Sequence, residues 1–283
     1  MKNKITLFIA LVASASLFAA VSPKEKEALV KLYQATNGVQ WTHSWDLNAP
    51  VNSWFGVVLK NDKVVSLDLS NNHLVGELPA AVTDLSNLQK LNLFRNEISG
   101  VIPASISNLK ELKYLNLSFN KLSGTIPSQL GDLSNLQSVE LFMNELTGTI
   151  PAQIGNLKQL KILSLFNNEL SGTIPSAVYD LTSLRVLLLN SNKLTGKLSK
   201  EVANMSSLEN LSLFENNMDG QVPFDLERLP KLKEMNISYN NFSGAVSRNL
   251  AQLDTLNLTM VNESGLAVVL PVEDRTSALA EED

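Results

Sequence analysis

The chain has 283 residues, of which 44% are hydrophobic and 18% charged, so its composition is that of a folded protein and not of a disordered chain. A net charge of −5 argues against a nucleic-acid partner, because phosphate backbones require a basic protein surface. The absence of cysteine excludes disulfides, thiolate metal sites and cysteine nucleophiles.

The first 21 residues have the pattern of an export signal. Two lysines precede an apolar run over residues 5–12, which continues into an Ala- and Ser-rich stretch. This run is shorter than a membrane-spanning helix requires. We expect cleavage after Ala15 or near Ala19 or Ala20, with an uncleaved anchor as the alternative. The mature protein is therefore expected to be secreted, periplasmic or at the cell surface, without stable membrane insertion.

Residues 22–63 are predicted to form an N-terminal cap that begins with a helix over residues 22–38. Ser22 and Glu25 form a capping box, with Pro23 at the first helical position. The aromatic residues that follow are Trp41, Trp45, Trp54 and Phe55. We interpret them as a cover for the next segment, and an aromatic ligand site is the alternative.

Residues 64–255 consist of eight copies of a 24-residue repeat without insertion or deletion. Aliphatic residues recur at its first, fourth and sixth positions, asparagine at the ninth and glycine at the thirteenth. The alternation at the fourth and sixth positions predicts a short strand, and strands of successive copies should stack about 4.8 Å apart in one parallel sheet. The buried asparagines are expected to hydrogen-bond to the backbone of the turns. One copy cannot bury its own apolar face, so both ends of the array require caps.

The periodic pattern breaks at the C-terminal end, where Ser264 stands in place of the next expected asparagine. We predict a C-terminal cap over residues 256–272, in which residues 268–270 form a last covering strand. Residues 273–283 are acidic and small, and we expect them to form a disordered tail.

The repeat Leu-x-x-Leu-x-Leu-x-x-Asn-x-Leu-x-Gly-x-Ile-Pro resembles the plant-type leucine-rich repeat of receptor-like kinases and polygalacturonase-inhibiting proteins. Residues 160–175, LKILSLFNNELSGTIP, match it at every fixed position. Residues 29–58 are similar to the N-terminal cap of secreted bacterial and protist proteins of this class, but lack the cysteine pair of plant caps. The resemblance implies an α/β repeat solenoid, a right-handed superhelix with a concave parallel β-sheet that binds ligands. No kinase domain is recognised, so a receptor kinase is not expected.

Outward-facing residues are predicted at the third, fifth, seventh and eighth positions of each repeat, and many of them are large and apolar. The predicted ligand-binding residues of this face are Phe94, Arg95, Tyr114, Phe119, Glu140, Phe142, Met143, Phe166, Phe214 and Tyr239. Phe142 and Phe166 should be neighbours on adjacent strands. Two interpretations remain open: the aromatic residues bind a ligand, or they cover the asparagines.

These patterns favour an extracytoplasmic binding module, a monomer that recognises a protein, peptide or polysaccharide. His43 and His73 have no partner at a fixed spacing, so we predict no catalytic residue, no metal site and no cofactor. A structural or adhesive surface protein is the alternative. Ice binding is a remote alternative, suggested by the row of Thr125, Thr149 and Thr173 on the other side of the coil.

Overall fold

The computed structural model describes residues 21–254, 256, 258–262 and 264–273. The predicted export signal and acidic tail lie outside these described residues, apart from residues 21 and 273 at their inner ends.

Helix α1 (Pro23–Ala35) confirms the predicted N-terminal helix, and Ser22 caps its first turn. The helix ends earlier than residue 38 for a local reason. The Thr36 hydroxyl donates to the carbonyl of Leu32 (2.7 Å), and Asn37 adopts the left-handed conformation that commonly follows a helix.

The three tryptophans of the cap are buried, as the interpretation of a cover requires. Trp45 lies between the other two, with ring centroids 4.9 Å from Trp41 and 4.8 Å from Trp54. Each indole N–H donates to a backbone carbonyl at 2.9 Å, so no polar group of these rings is left unpaired. Phe55 is the exception, since it is exposed and stacks on His43 at 4.2 Å.

The predicted strands form one nine-stranded sheet, here called the main sheet. Each coil contributes a short strand parallel to its neighbours, and only the first strand, from the cap, runs antiparallel. In order, the strands are β1 (Val57–Lys60), β2 (Lys63–Asp68), β4 (Lys90–Asn92), β6 (Tyr114–Asn116), β8 (Ser138–Glu140), β10 (Ile162–Ser164), β12 (Val186–Leu188), β14 (Asn210–Ser212) and β16 (Glu234–Asn236).

A second sheet of eight parallel strands, not predicted from the sequence, includes the thirteenth-position glycine of the first seven coils, and its last strand ends one residue before Gly244. Its strands are β3 (Val75–Glu77), β5 (Glu97–Val101), β7 (Lys121–Thr125), β9 (Glu145–Thr149), β11 (Glu169–Gly172), β13 (Lys193–Lys197), β15 (Asn217–Gln221) and β17 (Asn241–Ser243).

Short 3₁₀ segments, and not α-helices, carry the chain from the second sheet back to the main sheet. The residue at the sixteenth position, usually proline, precedes each one. The segments of the repeats are Ala80–Asp84, Ala104–Asn108, Ser128–Asp132, Ala152–Asn156, Ser176–Asp180, Lys200–Asn204 and Phe224–Arg228, and those of the cap are Gly38–Gln40 and Val51–Ser53.

The core lies inside the coils and runs the length of the solenoid. Aliphatic residues at the first, fourth and sixth positions are fully buried in every coil, except the half-buried Leu232. Glu25 links the cap to this core, because its buried carboxylate accepts a hydrogen bond from the backbone N–H of Val64 (3.2 Å). No helix in the described part of the chain is long and apolar enough to cross a bilayer.

The C-terminal cap differs from the prediction. It comprises β18 (Val246–Ser247), helix α2 (Arg248–Ala251), β19 (Thr259–Val261), β20 (Ala267–Val269) and β21 (Val272–Glu273). A strand does form near residues 268–270, and Leu270 is buried as a cover requires, whereas Val268 and Val269 are 44% and 59% exposed, so the prediction is wrong for these two residues. Asp254 instead closes the main sheet, because its buried carboxylate accepts from the N–H of Ile237 (2.9 Å).

Candidate ligand-binding face

The main strands end before the seventh position of the repeat, so the predicted placement of the seventh and eighth residues on the strands is wrong. Both lie in the turn that follows. The eighth residue adopts a left-handed backbone in every coil, for example in Arg95, Phe119 and Met143 (φ 53–54°). This turn directs the carbonyl groups after each strand towards the ninth asparagine. Asn120, for instance, donates to the carbonyl of Leu117 (3.0 Å).

Four of the predicted residues form a continuous group along these turns, here called the aromatic cluster: Phe94, Phe119, Phe142 and Phe166. Phe142 and Phe166 are stacked with ring centroids 4.4 Å apart, which confirms that they are neighbours. Phe119 stands edge-on to Phe94 (5.3 Å) and to Phe142 (5.5 Å). The cluster spans four successive coils, so it presents an apolar surface and not an isolated ring.

The aromatic cluster arises from a simple rule in the sequence. Coils with phenylalanine at the seventh position have a non-aromatic eighth residue, whereas Ser118 at the seventh position is followed by Phe119. Ser118 is fully buried and its hydroxyl has no hydrogen-bond partner. Phe119 is 40% exposed and the other three rings are half-buried. The rings therefore shield polar groups of the turn and also remain accessible to a ligand.

Phe214 and Tyr239 form a separate pair, with ring centroids 5.3 Å apart. Asn190 and Ser191 occupy the equivalent positions in the intervening coil and interrupt the aromatic row. The aromatic residues predicted as ligand-binding between residues 94 and 239 thus form two patches, of which the aromatic cluster is the larger.

Other predicted site residues surround the aromatic cluster without joining it. Tyr114 lies exposed on β6 of the main sheet. Glu140, on β8, accepts hydrogen bonds from Ser138 (2.8 Å) and Asn116 (3.2 Å), so it is held as a fixed acceptor. Arg95 is exposed and Met143 half-buried, both in the turn beside the rings.

A row of basic residues lies at the opposite ends of the main strands, where the strands begin. The sequence analysis did not predict this row. Lys113 and Lys161 each donate to a glutamine one coil earlier, Gln89 and Gln137, at 3.1 Å. No ion pair to either lysine is found among the described residues. The signal of this row in the sequence is a basic residue at the second position of four coils, whereas the predicted binding face comprises only the third, fifth, seventh and eighth positions.

Further along this row, Glu209 is bound by two cations. It accepts hydrogen bonds from Arg185 (2.6 Å) and Lys233 (2.9 Å), which together lower the pKa of its carboxyl group to about 2. At the other end of the sheet, burial tends to raise the pKa of Asp68, but hydrogen bonds from Lys90 and its neighbours outweigh this effect, and the pKa is lowered. Both carboxylates are therefore charged at neutral pH.

The second sheet carries the threonine row noted in the sequence. A Cβ atom added to Gly148 would lie only 2.9 Å from the Cγ2 methyl of Thr125, so each of these glycines leaves room for the threonine methyl of the preceding coil. Thr149 and Thr173 pack in the same way on the next two glycines. The three threonines line an open groove of about 900 Å³ whose lining residues, between residues 101 and 175, are all uncharged.

In the described part of the chain, no group of three or more histidine, aspartate or glutamate side chains is arranged to hold a metal ion. His73 lies near Glu97 (3.4 Å) on an exposed turn, and His43 belongs to the cap.

Comparisons with known proteins agree with this architecture. Two models match, one described as a leucine-rich repeat region over residues 141–263 and one as a leucine rich repeat over residues 62–122. A comparison with curated proteins finds no match.

Three solved structures illustrate the likeness. The plant peptide hormone receptor RGFR1, in complex with RGF2, is 31% identical with a TM-score of 0.66; the match covers 74% of this chain and 32% of the receptor. A chain of the BIR3–SERK2 complex from Arabidopsis thaliana is 34% identical with a TM-score of 0.51. The match covers 59% of this chain and 93% of that chain. A plant ice-binding protein is 27% identical with a TM-score of 0.63, and the match covers 91% of this chain and 99% of that protein.

The stacked coils, the asparagine turns and the parallel main sheet define a leucine-rich-repeat solenoid. The chain belongs to the leucine-rich-repeat proteins, and its repeat is of the plant-receptor type. It spans about a third of the length of RGFR1. The similarity of the cap to secreted bacterial and protist proteins stays a prediction.

Proposed function

We propose that this chain is an extracytoplasmic binding module that recognises a protein or peptide through the aromatic cluster in the turns that follow its main strands. The observation that carries the proposal is the continuous, accessible group of four phenylalanines on four successive coils. Solvent-exposed aromatic groups of this kind are typical anchors of protein interfaces. The solved structures named above include a receptor bound to its peptide hormone, which supports the same kind of ligand.

The arrangement of the rings favours an apolar side chain over a sugar as the group that binds. Phe142 and Phe166 use one face each for their mutual stacking, at an interplanar angle of 11°. Phe119 meets Phe142 edge-on, at 82°. A sugar ring stacks on an open aromatic face, whereas ring edges and the gaps between rings suit an aliphatic or aromatic side chain. Lys113 and Lys161, which bond to neutral glutamines across the sheet and not to carboxylates, favour a ligand that is also acidic.

A random-peptide display library and a glycan array, both probed with the full chain, test this proposal. We expect selected peptides to share apolar residues next to acidic ones and to bind saturably. Enrichment of glycans alone would overturn the assignment of a protein or peptide ligand. Failure of both selections would favour the structural or adhesive alternative.

Ice binding is a second candidate, because a specific surface and a specific comparison favour it. The second sheet offers threonine hydroxyls at the spacing of adjacent strands, about 4.8 Å, with each methyl seated on a glycine. The groove that these threonines line contains no charged residue. A plant ice-binding protein matches this chain over nearly the full length of both.

A substitution in the threonine row separates this candidate from the first. Thr149→Lys places a charge in the row at a position where another coil already has Lys197, so the fold accepts it. If the row binds ice, the wild-type chain inhibits ice recrystallisation, Thr149→Lys abolishes the effect and Gln221→Lys, at the same position outside the row, does not. No inhibition by the wild-type chain would contradict this candidate and leave the first untouched.

A further inference from the structure

Exposed apolar side chains are concentrated at the C-terminal end of the solenoid. Of the thirteen large hydrophobic residues that are exposed in the described part of the chain, five lie between residues 256 and 272. They are Leu256, Leu266, Val268, Val269 and Val272. The N-terminal end, by contrast, is closed by α1 and three buried tryptophans. The two ends of the solenoid are therefore covered unequally.

Strand β20 has a free edge. It pairs antiparallel with β19 on one side, and no other described strand lies beside it. Hydrogen bonds join Asn262 to Leu266 (2.9 Å) and Leu270 to Leu258 (3.2 Å) across this hairpin. Hydrogen-bonded and non-bonded residue pairs alternate in an antiparallel ladder. Val268 and Met260 therefore form the hydrogen-bonded pair that lies between these two pairs. The backbone groups of Ala267 and Val269 therefore point away from β19, towards the free edge.

This edge lacks the charged side chains that commonly prevent strand pairing. Residues 264–272 contain no charged side chain. By comparison, β1, at the outer edge of the main sheet, ends in Lys60 and is followed by Asp62 and Lys63. Charged residues at an edge are a common protection against association. In addition, a two-stranded hairpin is marginal alone, and further strands stabilise it.

We infer that β20 pairs antiparallel with β20 of a second copy of this chain, on a two-fold axis through Val268. In this register Ala267 of each copy lies opposite Val269 of the other, and all the outward-pointing backbone groups of these residues are bonded. An antiparallel edge is self-complementary in this way, as a two-fold interface requires. The hairpins then form one four-stranded sheet, to which residues 264–272 of each copy bring no charged side chain. The inferred oligomeric state is thus a dimer, in place of the monomer expected from the sequence.

The oligomeric state of the full chain, measured by sedimentation over a wide concentration range, tests this inference. We expect a reversible monomer–dimer equilibrium in which Val269→Lys weakens association at least tenfold, because it places a charge at the paired edge. Val101→Lys is the matched control, since Val101 is also 59% exposed but lies on the second sheet. A wild-type monomer at every concentration, or equal effects of the two variants, would overturn the inference.

Cysteine cross-linking tests the register independently of the lysine variant, and the chain contains no cysteine of its own. In the proposed register the Val268 residues of the two copies form a pair that is not hydrogen-bonded. The Cα atoms of such a pair lie about 4.5 Å apart, within the range of a disulfide. Val268→Cys should therefore form a disulfide-linked dimer under mild oxidation much faster than Val101→Cys. Ala267→Cys should cross-link with Val269→Cys in a mixture and far less with itself. Equal rates for Val268→Cys and Val101→Cys would contradict the proposed axis.

Discussion

The side-chain amide of Asn168 donates a hydrogen bond of 3.1 Å to the carbonyl of Leu141, one coil earlier in the solenoid. The same amide bonds to Leu165 in its own coil (2.9 Å), and its oxygen accepts from the N–H of Leu146 (3.1 Å). With a longer bond to the carbonyl of Phe166 (3.4 Å), one buried side chain therefore bonds to four backbone groups of two coils. Because every coil has an equivalent asparagine, the ladder joins the turns beneath the aromatic cluster along the whole solenoid.

Loss of one ladder asparagine should destabilise the protein strongly. Asn168→Ala leaves buried backbone groups without partners, and each such group costs about 1–3 kcal/mol. We expect a loss of at least about 2 kcal/mol in the free energy of unfolding, measured by urea denaturation. Asn156→Ala, on an exposed 3₁₀ segment, is the control and should change stability by less than about 0.5 kcal/mol. Equal effects of the two variants would contradict the role of the ladder.

The contact between Thr125 and Gly148 predicts a rescue experiment. Gly148→Ala combines a left-handed backbone (φ 75°) with a Cβ only 2.9 Å from the Thr125 methyl, so we expect a loss of about 2–4 kcal/mol from strain and crowding. Thr125→Ser removes that methyl and should restore part of the loss. Gly265→Ala has a similar φ of 74° but open space around it, and should cost only the backbone strain, about 1–2 kcal/mol. Thermal unfolding of Gly148→Ala, of Gly148→Ala combined with Thr125→Ser, and of Gly265→Ala checks this; no recovery in the double variant would contradict the contribution of crowding.

The ion pairs of Glu209 predict a pH-dependent stability. Its folded-state pKa of about 2 lies below the ordinary value of 4.5, so the charged form is favoured by folding. This contribution is fully present above pH 4.5 and is lost as the pH falls towards 2. Glu209→Gln should therefore lower stability at pH 7 and differ little from wild type near pH 2. Glu227→Gln, an exposed control, should show no such trend; parallel pH profiles for both variants would disprove the effect.

The periodic part of the fold could be predicted because every coil meets the same neighbours. The positions of Leu163, Asn168 and Gly172 within one repeat determine a strand, a turn and a tight bend, and the next repeat reproduces them. The neighbouring rings of Phe142 and Phe166 follow from the same register. The aromatic site is thus predictable to the extent that it follows the repeat.

The remaining features depend on contacts that no single residue reveals. The left-handed eighth position is occupied by residues as different as Arg95, Met143 and Ser191, because the asparagine ladder and not local preference imposes the conformation. The C-terminal cap is not periodic, so the buried carboxylate of Asp254 and the exposed edge of β20 had no pattern to indicate them. The division of the aromatic residues into two patches could be recognised only from the distances between the rings in the structure.

The affinity of the full chain for a peptide selected against it tests the central proposal most directly. Phe142→Asn combined with Phe166→Asn removes half of the aromatic cluster and introduces the residue that Asn190 already places at this position. We predict at least a tenfold loss of affinity, about 1.4 kcal/mol or more, in a variant whose circular dichroism is unchanged. Phe214→Asn, at the same position outside the cluster, should bind like wild type. Unchanged affinity of the double variant would contradict the proposal that the aromatic cluster is the binding site.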